Sequence, residues 1–290
     1  MILDYRSCFF FSAFLPRFQC KIHTATVSAC HWVSHQHLAV CTKERVEVYD
    51  VSHEGAAQLA YNITSDDWEG KATRGVAVSE ALPESLLVIC LGKPYVYQHP
   101  CRESNIEMTR YKIQGNHGEQ VHPKCIVANN TLAVIGLEFG GLVKCSLPYF
   151  TQQTPVETTV DIHDLSISKD HLLVMGEREM FVKPLNDLGQ DLIKIEPPHG
   201  LSLQGVCFSN DDKLIYVGCT KGQKGLVCKY GWEGSKYVNV GCCDKRIKVW
   251  MMQGSFMSLS VSKSAGMPND RLAVAGRYTK EVKIFQNGIE

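Results

Sequence analysis

The chain has 290 residues, 44% of them hydrophobic, which supplies a sizeable core and excludes a disordered protein. Lysine plus arginine total 30 and aspartate plus glutamate total 30, so no basic excess marks a dedicated nucleic-acid binder. The 13 cysteines are odd in number and most sit in apolar runs (Cys41, Cys90, Cys145, Cys219, Cys228), a pattern that excludes the dense disulfide framework of a small secreted module and points to a reducing, cytoplasmic setting.

The first apolar run, Cys8 to Leu15, falls far short of the roughly 18 residues that span a membrane. Asp4 and Arg6 cancel where a signal peptide would carry a basic segment, so the run reads as the start of a β-rich chain with no membrane partner. A strand, Arg17-Phe-Gln-Cys-Lys-Ile22, follows it.

From there one pattern recurs: a short strand opening on leucine, a polar turn, then a second alternating strand. The copies run His37–Val51, Ser85–Gln98, Thr131–Leu147, His171–Leu185, Lys213–Tyr230 and Arg271–Gln286. Their leading leucines are Leu38, Leu86, Leu132, Leu172, Leu214 and Leu272, at spacings of 48, 46, 40, 42 and 58 residues. Four of these spacings match the roughly 40–50 residues of a propeller blade.

An apolar strand precedes each copy: Val27–Val33, Gly75–Val78, Lys124–Val127, Leu165–Ile167, Gly205–Phe208 and Met257–Val261. Polar intervals such as Ser34-His-Gln, Ala128-Asn-Asn and Ser209-Asn-Asp-Asp separate it from the leucine. Asn, Asp, Ser, Gly and Pro there supply the dihedrals that tight turns need. A further strand follows several copies, as at Ala56–Ile63, Ile106–Ile113 and Leu192–Ile195. No stretch of a dozen residues keeps a helical period. Repeated short strands that are apolar on both faces predict an all-β fold, a six-bladed β-propeller of four-stranded antiparallel blades, with residues 1–290 as one domain.

Two features bear on closure and count. The last copy ends near Phe285 without an outer strand, and the segment 17–22 is a strand in excess of its own repeat, so 17–22 is expected to complete the last blade. The 58-residue interval contains Tyr237-Val-Asn-Val-Gly-Cys-Cys-Asp-Lys-Arg-Ile-Lys-Val-Trp250, which reads either as an insertion in blade five or as part of a seventh blade. A seven-bladed ring is therefore the alternative.

The segment GVCFSNDDKLIYVGC…GLVCKY, Gly205 to Tyr230, resembles the NHL-repeat propeller pattern, and GCCDKRIKVW, Gly241 to Trp250, resembles the closing strand pair of WD repeats. The Gly-His that opens many WD repeats and the Asn-x-Arg of NHL repeats do not occur at the matching positions. The resemblance implies a propeller that serves as a protein-interaction platform, similar to those of tripartite-motif scaffold proteins. No RING or B-box zinc pattern accompanies it.

Candidate chemistry is sparse. Cys30, His31, His35, His37 and Cys41 form the densest group of metal-ligand types, but they fall on a strand–turn–strand where neighbours diverge, which reads as a polar turn between buried strands. Cys242-Cys243 diverge for the same reason. Asp66-Asp67, Asp211-Asp212 and Asp161 with Asp164 raise the possibility of calcium, which six-bladed lactonases and esterases hold in the central channel. No carboxylate recurs at one position of each inner strand, and Asp211-Asp212 reads as a turn. His163 and Asp164, near the start of an inner strand, are the best pair for a buried polar or catalytic role.

Gly222-Gln-Lys-Gly225 precedes no helix and offers no phosphate site. Lys245, Arg246 and Lys248 with Trp250 are the most basic aromatic stretch, expected to be a solvated outer strand. Asn62-Ile-Thr64 and Asn129-Asn-Thr131 are N-glycosylation sequons.

The expectation is a non-enzymatic scaffold that binds a protein or peptide on one rim, with no catalytic, cofactor-binding or metal-binding residue. It would be a monomeric domain, alone or within a larger assembly. A calcium-dependent six-bladed hydrolase and an RNA-binding propeller are the alternatives.

Overall fold

The computed structural model describes residues 17–24, 26–52, 57–68, 70–101, 107–116, 119–158, 160–197, 199–209, 211–221, 224–233, 236–241, 252–253, 256–261, 271–276 and 281–286. These residues build six antiparallel sheets arranged as a six-bladed propeller.

The strands follow the repeat. Blade 1 contains β2 (Ala29–Trp32), β3 (His37–Cys41), β4 (Val46–Asp50) and β5 (Gln58–Ile63). Blade 2 contains β6 (Thr73–Val78), β7 (Ser85–Cys90), β8 (Tyr95–Pro100) and β9 (Thr109–Lys112). Blade 3 contains β10 (Pro123–Ala128), β11 (Leu132–Leu137), β12 (Leu142–Ser146) and β13 (Thr151–Gln152). Blade 4 contains β14 (Asp164–Ile167), β15 (His171–Met175), β16 (Met180–Pro184) and β17 (Ile193–Ile195).

Blade 5 contains β18 (Ser202–Phe208), β19 (Leu214–Lys221), β20 (Lys224–Glu233) and β21 (Lys236–Gly241), with β22 (Met252–Gln253) also paired to β20. Blade 6 contains β23 (Phe256–Val261), β24 (Arg271–Gly276) and β25 (Glu281–Gln286). Its outer strand is β1 (Arg17–His23), which runs antiparallel to β25 with Phe18 opposite Phe285 and Ile22 opposite Val282. First and last strands thus share one sheet, and the hydrogen bonds of β1 cover the edge that β25 would otherwise expose.

The seven-bladed alternative gives way to six sheets. The start of the Tyr237–Trp250 pattern lies on β21, the outer strand of blade 5, and residues 242–250 lie outside the described residues. The long leucine spacing has a local cause: β19 has eight residues and β20 has ten, and β22 adds a pairing on the same sheet.

Period-2 alternation explains why the strands are apolar throughout. In β3, Leu38 and Val40 face the blade 6 side while Ala39 and Cys41 face blade 2. In β7, Leu87 and Ile89 face blade 3 while Leu86, Val88 and Cys90 face blade 1. Among the described residues the core is six apolar clusters, one at each junction between consecutive blades. Ile22 sits in the cluster joining blades 6 and 1, so the closing strand also contributes to the core.

The buried thiols behave as hydrophobes. Burial pushes the Cys90 and Cys145 thiols up to about 12, and it pushes those of Cys41 and Cys125 up as well. Such thiols are chemically quiet. Cys228 departs from this reading because it is disulfide-bonded.

Candidate functional site

The first strand of each blade ends on the same face of the ring. Val78, Ala128, Ile167, Phe208 and Val261 close those strands, and Val33 follows β2, around a central cavity of about 950 Å³. The cavity wall is largely apolar, and Leu82 and Pro83 from the turn of blade 2 extend it outward. Val33, Val78 and Ala128 remain half-buried beside this space, whereas Phe208 is 1% exposed.

A collar of short polar residues follows: Ser34, Ser79, Asn129, Ser168 and Ser209, one position past the apolar strand end in blades 1 to 5. Each turns the chain toward its second strand. Ser34 Oγ accepts the N–H of His37 at 3.1 Å, and Ser168 Oγ accepts that of His171 at 3.1 Å. Asn129 Oδ1 takes the N–H groups of Thr131 and Leu132, and Ser209 Oγ takes that of Leu214. These bonds replace the ladder at the turn, the usual use of Ser and Asn there. The collar also joins blades: Ser79 Oγ donates to the Asn129 carbonyl at 2.6 Å, and Asn129 Nδ2 donates to the Ser168 carbonyl at 3.4 Å.

An innermost strand has one edge without a ladder partner, so its N–H groups need other acceptors. Side chains of the preceding blade supply several. Ser166 Oγ accepts the N–H of Phe208 at 3.0 Å, and Ser260 Oγ accepts that of Trp32 at 3.3 Å. Asp164 Oδ2 accepts the N–H of Val206 at 2.9 Å, while its Oδ1 accepts that of Leu165. The Asp164 carboxyl belongs to a half-buried side chain at the start of β14. Burial pushes it up to about 7 despite the two N–H groups that favour its charged form.

The rim outside the collar is acidic. Glu80, Glu84, Asp170 and Asp212 line the mouth with a single lysine, Lys169. Asp212 Oδ2 accepts the Lys169 N–H at 3.4 Å, and Asn130 Nδ2 donates to Glu80 at 2.6 Å. Among the described residues Glu80, Glu84 and Asp170 have no lysine or arginine within ion-pair distance. Around the opposite end of the first strands, several charges are paired. Arg74 meets Glu138 at 3.0 Å, Lys124 meets Asp161 at 2.9 Å, and His163 lies 3.5 Å from Asp161. Burial raises the Asp161 carboxyl, but the Lys124 ammonium and then His163 hold it below its ordinary value. Phe139 projects from that face, 95% exposed at φ 66°.

The residues singled out in the sequence are dispersed by the fold. Cys30 and Cys41 are buried, His31 lines the cavity, His35 is exposed, and His37 Nδ1 lies 3.1 Å from Ser34 Oγ. His163 and Asp164 engage different partners, Asp161 and Val206. Asp66 and Asp67 open a 3-10 turn ending on Trp68, with Asp67 3.7 Å from Arg110.

Asp211 takes a hydrogen bond from Ser209 Oγ at 2.7 Å in the turn where Asp212 has φ 58°. Among the described residues no three of His, Cys, Asp or Glu gather as a metal group. Asn62 is exposed on β5, and Asn129 is engaged in the collar.

Gly225 lies on β20, while residues 222–223 fall outside the described residues. Cys242, Cys243, Lys245, Arg246, Lys248 and Trp250 also lie outside them. No helix among the described residues is long and apolar enough to cross a membrane.

Two features of the site escaped sequence reasoning. The collar could have been found from the recurring apolar-then-Ser/Asn step after each first strand. The acidic rim had no such signal, because Glu80 and Asp170 are 90 positions apart in the chain and come to one mouth only through the ring of blades.

The chain matches no protein-family model and no curated protein. It does match solved propellers. Kuenenia stuttgartiensis hydrazine synthase is similar over 92% of this chain and 97% of that one, at 10% identity and a TM-score of 0.63. The β-propeller domain of Myceliophteria thermophila Cps50 (Swd1) is similar over 89% of this chain and 82% of that one, at 13% identity and a TM-score of 0.59. At these identities the likeness concerns the fold, and the fold is a propeller.

Proposed function

We propose that the chain is a non-enzymatic interaction platform that binds a protein through a peptide segment seated in the axial cavity. One observation carries the reading: a cavity of about 950 Å³ lies where the first strands end, with Val33, Val78 and Ala128 half-buried against it. Space of this size suits several side chains, and apolar surface in a concave site is the usual source of binding energy. The polar groups nearest the cavity support binding over catalysis. Ser34, Ser79, Asn129, Ser166 and Ser168 already hold backbone groups, so they are positioned to keep a rigid mouth. A closed scaffold carrying loops from several blades then limits the ordering cost of association. A cytoplasmic setting belongs to the same reading and draws on the buried thiols of Cys41, Cys90, Cys125 and Cys145.

A peptide-display selection on the wild-type chain tests this, run in parallel on Ala128→Trp, which fills the cavity from the end of β10. Peptides enriched on the wild type and lost on the variant are expected. Equal enrichment on both would place binding elsewhere and overturn the reading.

A further inference from the structure

The axial mouth has an ordered chemistry from inside to outside. Innermost, Val33, Val78 and Ala128 present half-buried apolar groups beside the packed ends of the other first strands. The next layer is the collar, whose hydroxyl and amide groups are spent on turns and inter-blade bonds. Outermost are the carboxylates Glu80, Glu84 and Asp170, all exposed. Lys169 is the lysine on this lining among the described residues. The opposite mouth differs: there Arg74 and Lys124 are matched by Glu138 and Asp161. Among the described residues, three carboxylates without a partner cation therefore line the mouth where the cavity opens.

A cation pushed into the cavity would lose its water among apolar groups, which is costly. A cation left at the rim stays solvated beside the carboxylates. An apolar side chain has the reverse preference. Resting on the binding role just described, we infer that the occupant is an extended segment with one large apolar side chain, which enters the cavity, flanked by lysine or arginine residues that meet Glu80, Glu84 and Asp170. Exposed charge pairs of this kind are individually weak and screened by salt, so they set selectivity and encounter rate while the apolar anchor supplies most of the affinity.

The probes are four fluorescent heptapeptides of Gly/Ser frame: a central Phe flanked by two Lys on each side, the same Phe flanked by Ser, the same Phe flanked by Glu, and the Lys-flanked frame with Gly at the centre. Binding is read by anisotropy at about 50 and 300 mM salt. The Lys–Phe peptide is expected to bind at least about tenfold tighter than the Ser–Phe peptide at low salt, with the gap shrinking at high salt. The Glu–Phe and Lys–Gly peptides are expected to bind weakest. The triple variant Glu80→Gln, Glu84→Gln, Asp170→Asn should erase the advantage of lysine and leave Ser–Phe binding unchanged.

Equal binding of Lys–Phe and Ser–Phe peptides, with both lost on Ala128→Trp and Val33→Trp, overturns the charge inference and leaves the cavity reading standing. Binding that survives both tryptophan variants, each with a wild-type unfolding midpoint, overturns the cavity reading itself.

Discussion

The Asp164 carboxylate accepts the backbone N–H of Val206 at 2.9 Å across the boundary between blades 4 and 5. It is the titratable member of the inner-edge contacts, and burial lifts its pKa to about 7. The unfolded value is about 3.9. The folded state therefore holds the proton more tightly, so this group's contribution to stability is fully present below about pH 4 and is lost as pH rises to about 7. The loss is on the order of 4 kcal/mol.

Asp164→Asn keeps an acceptor oxygen for Val206 and removes the titration. Unfolding by urea at several pH values should show the variant gaining on the wild type between pH 4 and 8. A difference that stays constant over that range would contradict the assignment.

Glu47 ties the segment after the closing strand to blade 1. It is 3% exposed and takes hydrogen bonds from Thr24, from Tyr49 at 2.8 Å and from Arg45 at 2.8 Å. Burial alone would raise its carboxyl, yet the Thr24, Tyr49 and Arg45 donors hold it below the ordinary value. Glu47→Ala should cost about 2 kcal/mol at neutral pH, read from the urea midpoint, because it strands buried donors. The cost should diminish as the medium is acidified through the wild-type pKa, since protonation weakens the same contacts. A cost independent of pH would mean that packing, not charge, dominates.

How the ring closes was legible before the structure. Arg17–Ile22 stands out as a strand beyond its repeat, and the fold pairs Arg17–His23 with Glu281–Gln286. The leucine repeat was legible for the same physical reason: second strands are buried between neighbours, as Leu38, Leu86, Leu172 and Leu272 show. Leu132 and Leu214 are half-buried and mark the strand start rather than its core. Strand β13 has two residues, too few for alternation to register. The Tyr237–Trp250 pattern kept a seven-bladed alternative open because its start, on the outer strand β21, carries the same alternation as a new strand pair. The site was less accessible, since its rim gathers residues from separate blades.

Closure gives a further test. Ile22 is 2% exposed in the cluster between blades 6 and 1. Ile22→Ala should lower stability by about 3 kcal/mol through the cavity it opens. A loss below about 1 kcal/mol would indicate a closing strand that frays without consequence for the ring.

Arg271 reaches across the same junction. Its guanidinium lies 4.8 Å from the Trp32 ring centroid, and it donates to the carbonyls of Val51, at 2.7 Å, and His35. Lysine cannot reproduce a planar group that stacks and donates in two directions. Arg271→Lys should cost about 1 kcal/mol in thermal or chemical unfolding, a cost that Trp32→Phe should partly share. Full retention of stability by the lysine variant would show that the stack contributes nothing beyond its charge.

A crystal structure of the wild-type chain with a peptide enriched by the display selection tests the central claim most directly. It should show an apolar side chain between Val33, Val78 and Ala128, with flanking cations within about 4 Å of Glu80, Glu84 or Asp170. A peptide bound at Phe139 on the opposite face, or along the outer strands with the axial cavity left vacant, would contradict it.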